Sequence, residues 1–258
     1  MIVAHSSEAL VRGFVADRPL TWALPALFLA LSTGALARDT TALNTLSEAE
    51  QKDGWTLLFD GRTTNGWRGF KQQTMPDGWK VVDGALTRAG KAGDIVTIRQ
   101  YASFDLKFDW RIAPKGNSGV FFHVAEGPDL NAVYRTGPEY QLLDNDGHPD
   151  AKNGPDRFAG GNYALHPPVN AVTRPIGEWN ESRLVVRGPH VEHWLNGVKV
   201  VEYELWSDDW KARVAKSKFN TMPRYGLEKT GHIALQDHGD EVAFRNIRIK
   251  VLEDAQTQ

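Results

Sequence analysis

Two short stretches place residues that can move protons at the ends of apolar runs. The first is Glu139-Tyr140-Gln141-Leu142-Leu143-Asp144. In a strand, Glu139 and Gln141 share one face, while Asp144 falls on the other parity at the strand end. A carboxyl in an otherwise apolar strand is where burial raises its pKa towards general acid/base work. The second stretch is Gln236-Asp237-His238, which closes the run HIAL before Gly239 turns the chain. Gln236 and His238 share a parity there, and a histidine at a strand end beside a carboxylate can shuttle protons or bind a metal. Glu139, Asp237 and His238 are therefore the candidate catalytic residues. Gln141, Gln236 and Asp144 are the candidate hydrogen-bonding groups for a ligand. His193 joins them, inside a strand on the parity of Val191 and Leu195, and His123 is a similar in-strand histidine. Each also has a plain structural reading: Glu139 as a solvent-facing acid, the histidines as satisfied core groups.

Other chemistry is excluded by what the chain lacks. It has no cysteine, so disulfides, thiolate metal sites and a thiol nucleophile are ruled out. There is no Gly-x-Ser-x-Gly elbow, no His-Glu-x-x-His, no phosphate loop and no dinucleotide fingerprint after a strand. No histidine pair has the spacing that would specify a metal site, although loop aspartates such as Asp60, Asp144 and Asp150 could offer oxygens to calcium. Sandwich glucanases carry two carboxylates two or four residues apart on one strand face. Here one carboxylate and one amide line it, which argues against ordinary double displacement. The formal charge of −2, from 30 basic and 32 acidic residues, gives no electrostatic case for nucleic acid or an anionic membrane. Nine tryptophans are more than a core of this size needs, and flat aromatic faces beside Gln, Asn and His suit a sugar ring. Trp79 is the candidate stacking residue.

The elements that must position these groups are mostly strands. Phe104–Ile112 puts Phe104, Leu106, Phe108, Trp110 and Ile112 on one face. Asp83-Gly84, Gly188-Pro189 and Asn196-Gly197 are hairpin turns. In residues 242–251 the apolar parity switches near Asn246, which predicts a bulge. At least ten short strands with only brief helices, over 45–52 and 208–216, predict an all-β, two-sheet antiparallel sandwich or jelly roll. Residues 144–179 carry turn signals and no strand pattern, and so long an irregular stretch is usually functional.

Residues 22–31 (WALPALFLAL) are too short an apolar run to span a bilayer and are followed by Ala35-Leu36-Ala37. This reads as a signal peptide, residues 1–37, cleaved to leave 258 − 37 = 221 residues as one periplasmic or secreted domain (38–258, core 53–252) with no membrane anchor.

Several segments together resemble a known family: LLFDGRTTNGW at 57–67, NSGVFFH at 117–123, EYQLLDN at 139–145, GEWN at 177–180, HWLNG at 193–197 and GHIALQDHGDEVAFRNIRI at 231–249. They look like the 3-keto-disaccharide hydrolases, with a concanavalin A-like lectin/glucanase sandwich. The resemblance implies cleavage of glycosides already oxidised at C3 by a separate sugar 3-dehydrogenase. A C3 ketone acidifies the C2 proton, so a base forms an enolate, the C1 substituent leaves, and water adds to the enone. That route needs a base, a stabiliser for the enolate and an acid rather than paired carboxylates. A divalent cation, calcium or a transition metal, could serve as stabiliser. The competing reading is a non-catalytic carbohydrate-binding module of the same fold.

Overall fold

A computed structural model describes residues 42–253. The expected signal segment, 1–37, lies outside the described residues. Among them are thirteen strands: β1 Trp55–Leu57, β2 Trp67–Gly69, β3 Trp79–Val82, β4 Ala85–Arg88, β5 Ile95–Thr97, β6 Phe104–Ile112, β7 Asn117–Val124, β8 Glu139–Leu143, β9 Asn180–Arg187, β10 His190–Leu195, β11 Val198–Glu204, β12 His232–Leu235 and β13 Val242–Val251. Two α-helices accompany them, α1 Glu48–Lys52 and α2 Asp208–Lys216. No described helix is long and apolar enough to cross a membrane.

The strands form two antiparallel sheets, as the alternation predicts. The larger runs β11-β10-β9-β6-β13-β4-β3, with β1 also on β13, and the smaller runs β2-β5-β12-β7-β8. Their inner faces make the core. The five alternate side chains of β6 are all buried, each stabilising the fold by roughly 1.5–3 kcal/mol. They meet Val120 and Phe122 of β7, Tyr140 and Leu142 of β8, and Ile233 and Leu235 of β12. Since these inward residues fix the parity, Glu139, Gln141, Gly119 and Gln236 face outward from the smaller sheet.

The turn chemistry behaves as the sequence dictates. Asp83 and Asn196 both adopt positive φ ahead of Gly84 and Gly197, closing the β3–β4 and β10–β11 hairpins. The parity switch in β13 is a bulge between Arg245 and Arg248, with Asn246 at φ 52°. Asn44 and Asn246 lock it by reciprocal bonds, each backbone N–H donating to the other's side-chain oxygen at 2.7 and 2.8 Å. Ser47 closes a capping box on α1 with Glu50, and Ser207 caps α2.

Candidate active site

The smaller sheet's outer face carries the chemistry. Register places Leu235 opposite both Ile95 and Val120, and Gln236 N–H donates to the Gly119 carbonyl at 3.0 Å. Gly119 pairs with Gln141. One row therefore crosses four strands: Asp94, Gln236, Gly119, Gln141. Glu139 lies a row away but folds back over the glycine. A Cβ on Gly119 would stand 2.3 Å from Glu139 Oε1 and 2.9 Å from both Cδ and Cγ. Glycine here is the space into which the carboxyl lies.

The irregular segment after β8 closes the side of this face. Gly160 N–H donates to the Gln141 carbonyl at 2.8 Å, Gln141 N–H to Gly161 at 3.0 Å, and Tyr163 N–H to the Glu139 carbonyl at 3.1 Å. This clasp leaves Glu139 only 6% exposed and Gln141 fully buried. It also brings up Asp150, Arg157 and Tyr163. Lys218, from the 3₁₀ turn Lys218–Thr221, holds its ammonium 4.2 Å from the Tyr163 ring centre.

Burial pushes the Glu139 carboxyl up to about 8; Lys218 opposes this, while Asp94 and Asp150 add to it. Asp94, next in the row beyond Gln236, is raised to about 6, again by burial first, with the Asp237 N–H bond opposing and the Asp237 charge adding. Burial thus raises both carboxyls, Glu139 further than Asp94, an ordering of the kind acid/base catalysis uses. Around them are buried polar atoms without a hydrogen-bond partner: Gln236 Oε1, Gln141 Nε2 and, one row on, Asn117 Oδ1. Buried polar atoms are ordinarily paired, so these three beside one acid call for a partner, an ordered water or a ligand group.

The far end of the face carries His238 and His148. His238 Nε2 is 3.5 Å from Asn117 Nδ2, and the His148 and His238 ring centres are 6.1 Å apart. With Asp240 they bring three ligand-type atoms within 4.8 Å of one another. His148 Nδ1 accepts the Asp150 N–H at 3.1 Å, which leaves the proton of the neutral ring on Nε2. That tautomer suits hydrogen-bond donation and works against metal ligation through Nε2. A second such group, His190, Glu192 and Glu202, lies on the β10–β11 hairpin.

Four sequence candidates are corrected by their surroundings. Asp237 takes Arg88 at 2.7 Å and three backbone N–H groups, from Ala92, Gly93 and Gly239. Burial works against the charge, yet these bonds and Arg88 hold its carboxyl below the usual range. It is a fastener of loops, with no lone pair left for catalysis. Asp144 likewise anchors a turn, accepting N–H bonds from Lys115, Asp146 and Gly147. His193 is fully buried in the core, stacked 4.8 Å from Tyr140 and donating to the Gly160 carbonyl, with burial pulling its pKa to about 3. Trp79 is 3% exposed, tilted on Phe244 with its N–H on the Gly93 carbonyl, and offers no face to a sugar. His123 is also buried, its Nε2 2.7 Å from the Ala102 carbonyl.

Glu139, Gln141, Gln236 and His238 are brought together. Sequence reasoning missed Asp94, His148 and Lys218. Asp94 could have been found, because it shares parity with Val96 at the strand's mouth. Lys218 sits in an irregular turn with no pattern to read.

A two-sheet sandwich of this kind hosts both sugar-binding modules and sugar-cleaving enzymes. The sequence pattern of the 3-keto-alpha-glucoside-1,2-lyase-like domain matches residues 54–250, and the chain belongs to that family. It is 37% identical over 230 residues, 78% of this chain and 79% of the other, to a 3-keto-disaccharide hydrolase of Bacteroides thetaiotaomicron. A crystal structure of a protein assigned as a glycosyl hydrolase, from Parabacteroides distasonis, superposes with a TM-score of 0.78 at 41% identity, covering 82% of this chain and all of that one. A second such protein from the same organism gives 0.60 at 26% identity, covering 77% and 99%.

Proposed function

We propose that the enzyme cleaves 3-keto-glycosides by elimination and hydration, with the sugar lying over Gly119 and Gln236. The observation that carries this is the Glu139 carboxyl folded over Gly119, one row from Asp94, with Gln236 Oε1 and Gln141 Nε2 beside it lacking a partner. Asp94 takes the C2 proton, which the C3 ketone has acidified, and the enolate expels the C1 oxygen as Glu139 delivers its proton to the departing alcohol. Water then adds its oxygen to C1 of the enone, and C2 regains a proton. The Lys218 ammonium and the Nε2–H of His148 are the donors available to the enolate oxygen, with His238 beside them. Gln236, Gln141 and Asn117 take the hydroxyls.

The family match supports this reading, and so does the chemistry: the substrate's ketone replaces the strong electrostatic assistance that oxocarbenium routes need. Its ketone must come from an oxidation at C3 by another enzyme, and export through residues 1–37 would place cleavage outside the cytoplasm. Asp94 also favours a second reading. It supplies the second carboxylate that the strand around Glu139 lacks, as direct hydrolysis of an unoxidised glycoside requires. Turnover of a chromogenic 3-keto-glucoside beside the unoxidised glucoside decides: release from the keto sugar alone supports elimination, and equal release from both overturns it. A chelator arm tests whether a divalent cation joins the His148–His238–Asp240 end; unchanged rates would remove the metal.

A further inference from the structure

Lys218 reaches the Glu139 side from an irregular turn, on a flexible four-carbon stem, and it is an exposed residue. Among the described residues its ammonium makes no hydrogen bond or ion pair and is held by rings alone. It lies 4.2 Å from the Tyr163 ring centre and 5.4 Å from the Phe219 ring centre. The nearer ring also carries the Arg157 guanidinium, at 4.8 Å. Two cations that repel each other thus gather on one ring, whose π-face attracts both. Tyr163 can do this because its backbone is pinned. Its N–H donates to the Glu139 carbonyl at 3.1 Å, and Asn162 before it bridges to Tyr140. Arg157 is tied in turn to Asp156 at 2.7 Å. Burial first, then the charge and hydrogen bond of Asp150, push the Tyr163 phenol above its usual range, so the ring stays neutral.

A donor for a developing oxyanion works best when it is in place before the charge forms. We propose that Tyr163 is the positioning residue for Lys218: its ring, rather than its hydroxyl, holds the ammonium beside Glu139, where it serves the enolate oxygen. The inference rests on reading the Glu139 face as the sugar site. The charged groups that act on Glu139 are Lys218, Asp94, Asp150 and Arg157, and the phenols of Tyr163 and Tyr225 also feel it. Those that act on Lys218 are Glu139, Arg157 and Asp150. Lys218 is the strongest of the charges on Glu139 and opposes the upward push of burial. An ammonium released from the ring would therefore leave the Glu139 carboxyl higher. A merely loosened clasp would do the reverse, because water reaching the carboxyl lowers it. The two consequences of removing the ring differ in sign.

The test pairs Tyr163→Leu with Tyr163→Phe. Carboxyl-carbon NMR of isotopically labelled protein follows Glu139 through pH, its signal identified by its loss in Glu139→Gln. In Tyr163→Leu the Glu139 midpoint should rise as it does in Lys218→Met, and combining the two substitutions should add nothing further. Tyr163→Phe, which keeps the ring and loses the hydroxyl, should keep the wild-type midpoint. On the chromogenic 3-keto-glucoside kcat/KM should fall about three- to thirtyfold in Tyr163→Leu and recover in Tyr163→Phe. Tyr163→Met repeats the comparison if the leucine variant does not melt cooperatively. A midpoint that stays or falls in Tyr163→Leu, an unchanged rate there, or a Tyr163→Phe as impaired as Tyr163→Leu overturns the assignment. The NMR arm needs no turnover. The expected midpoints in a protein that cleaves no keto sugar would keep the hold of Tyr163 on Lys218 and sink the keto reaction. Unmoved midpoints in a protein that does cleave it would sink the positioning role alone.

Discussion

Replacing Gly119 by alanine perturbs the site through one methyl group. The strand at Gly119 has no left-handed φ, so alanine meets no backbone penalty and strand propensity favours it slightly. The methyl carbon would sit 2.3 Å from Glu139 Oε1 and 2.9 Å from its Cγ and Cδ. Relief to ordinary contact needs the whole carboxyl to withdraw by roughly 1 Å, and a misplacement of that size costs about 100-fold in rate. The strand around it is packed, so overpacking should cost about 1–3 kcal/mol of stability. The assay is kcat/KM on the chromogenic 3-keto-glucoside beside a denaturant melt. A 100-fold fall with a cooperative unfolding transition is expected, and Glu139→Gln should fall at least as far. Wild-type turnover in Gly119→Ala would show that the position of the Glu139 carboxyl does not matter to the reaction.

Four further outcomes follow from the same geometry. The pH–rate profile of kcat/KM should be bell-shaped, with limbs near 6 for Asp94 and near 8 for Glu139; a profile flat from pH 5 to 9 would contradict the assignment. Lys218→Met removes the charge that holds the Glu139 carboxyl down, so the alkaline limb should move to higher pH in rate profiles of the variant. Glu139 has a raised folded-state pKa. Its contribution to stability is present in full below its unfolded value of about 4.5 and is lost as pH rises towards 8. Melts of Glu139→Gln should therefore match wild type near pH 4 and exceed it increasingly up to pH 8. Asp237→Ala breaks a buried ion pair with Arg88 whose side chains are 5% and 12% exposed, which should cost about 3–5 kcal/mol in a denaturant melt. Because the Asp237 charge helps to raise Asp94, the acidic limb of the variant's pH–rate profile should also move to lower pH.

The sandwich was legible because its strands alternate cleanly. Five large apolar side chains on one parity of β6 leave little choice of face, and Asn196-Gly197 and Asp83-Gly84 fix two hairpins by backbone conformation alone. Short strands were harder to read. Trp67–Gly69 has three residues and no period, and it is a strand only because β5 pairs with it. In the candidate site, parity correctly set Glu139 with Gln141 and Gln236 with His238. Parity cannot tell an outward strand face from an inward one, however, and His193 sits on the parity that points into the core. Nor can it tell a carboxylate with one backbone N–H partner from one saturated by several, which is what separates Asp94 from Asp237. The groups contributed by irregular chain, His148 and Lys218, reach the face through turns whose course no periodicity records.

The most direct test of the central claim follows hydrogen at C2. Cleavage of a 3-keto-glucoside in deuterium oxide should return a sugar carrying solvent deuterium at C2, and a substrate deuterated at C2 should react several-fold more slowly. Product that keeps its original C2 hydrogen, released at the same rate from either isotopologue, would contradict proton abstraction at C2 and leave direct hydrolysis by the Glu139–Asp94 pair.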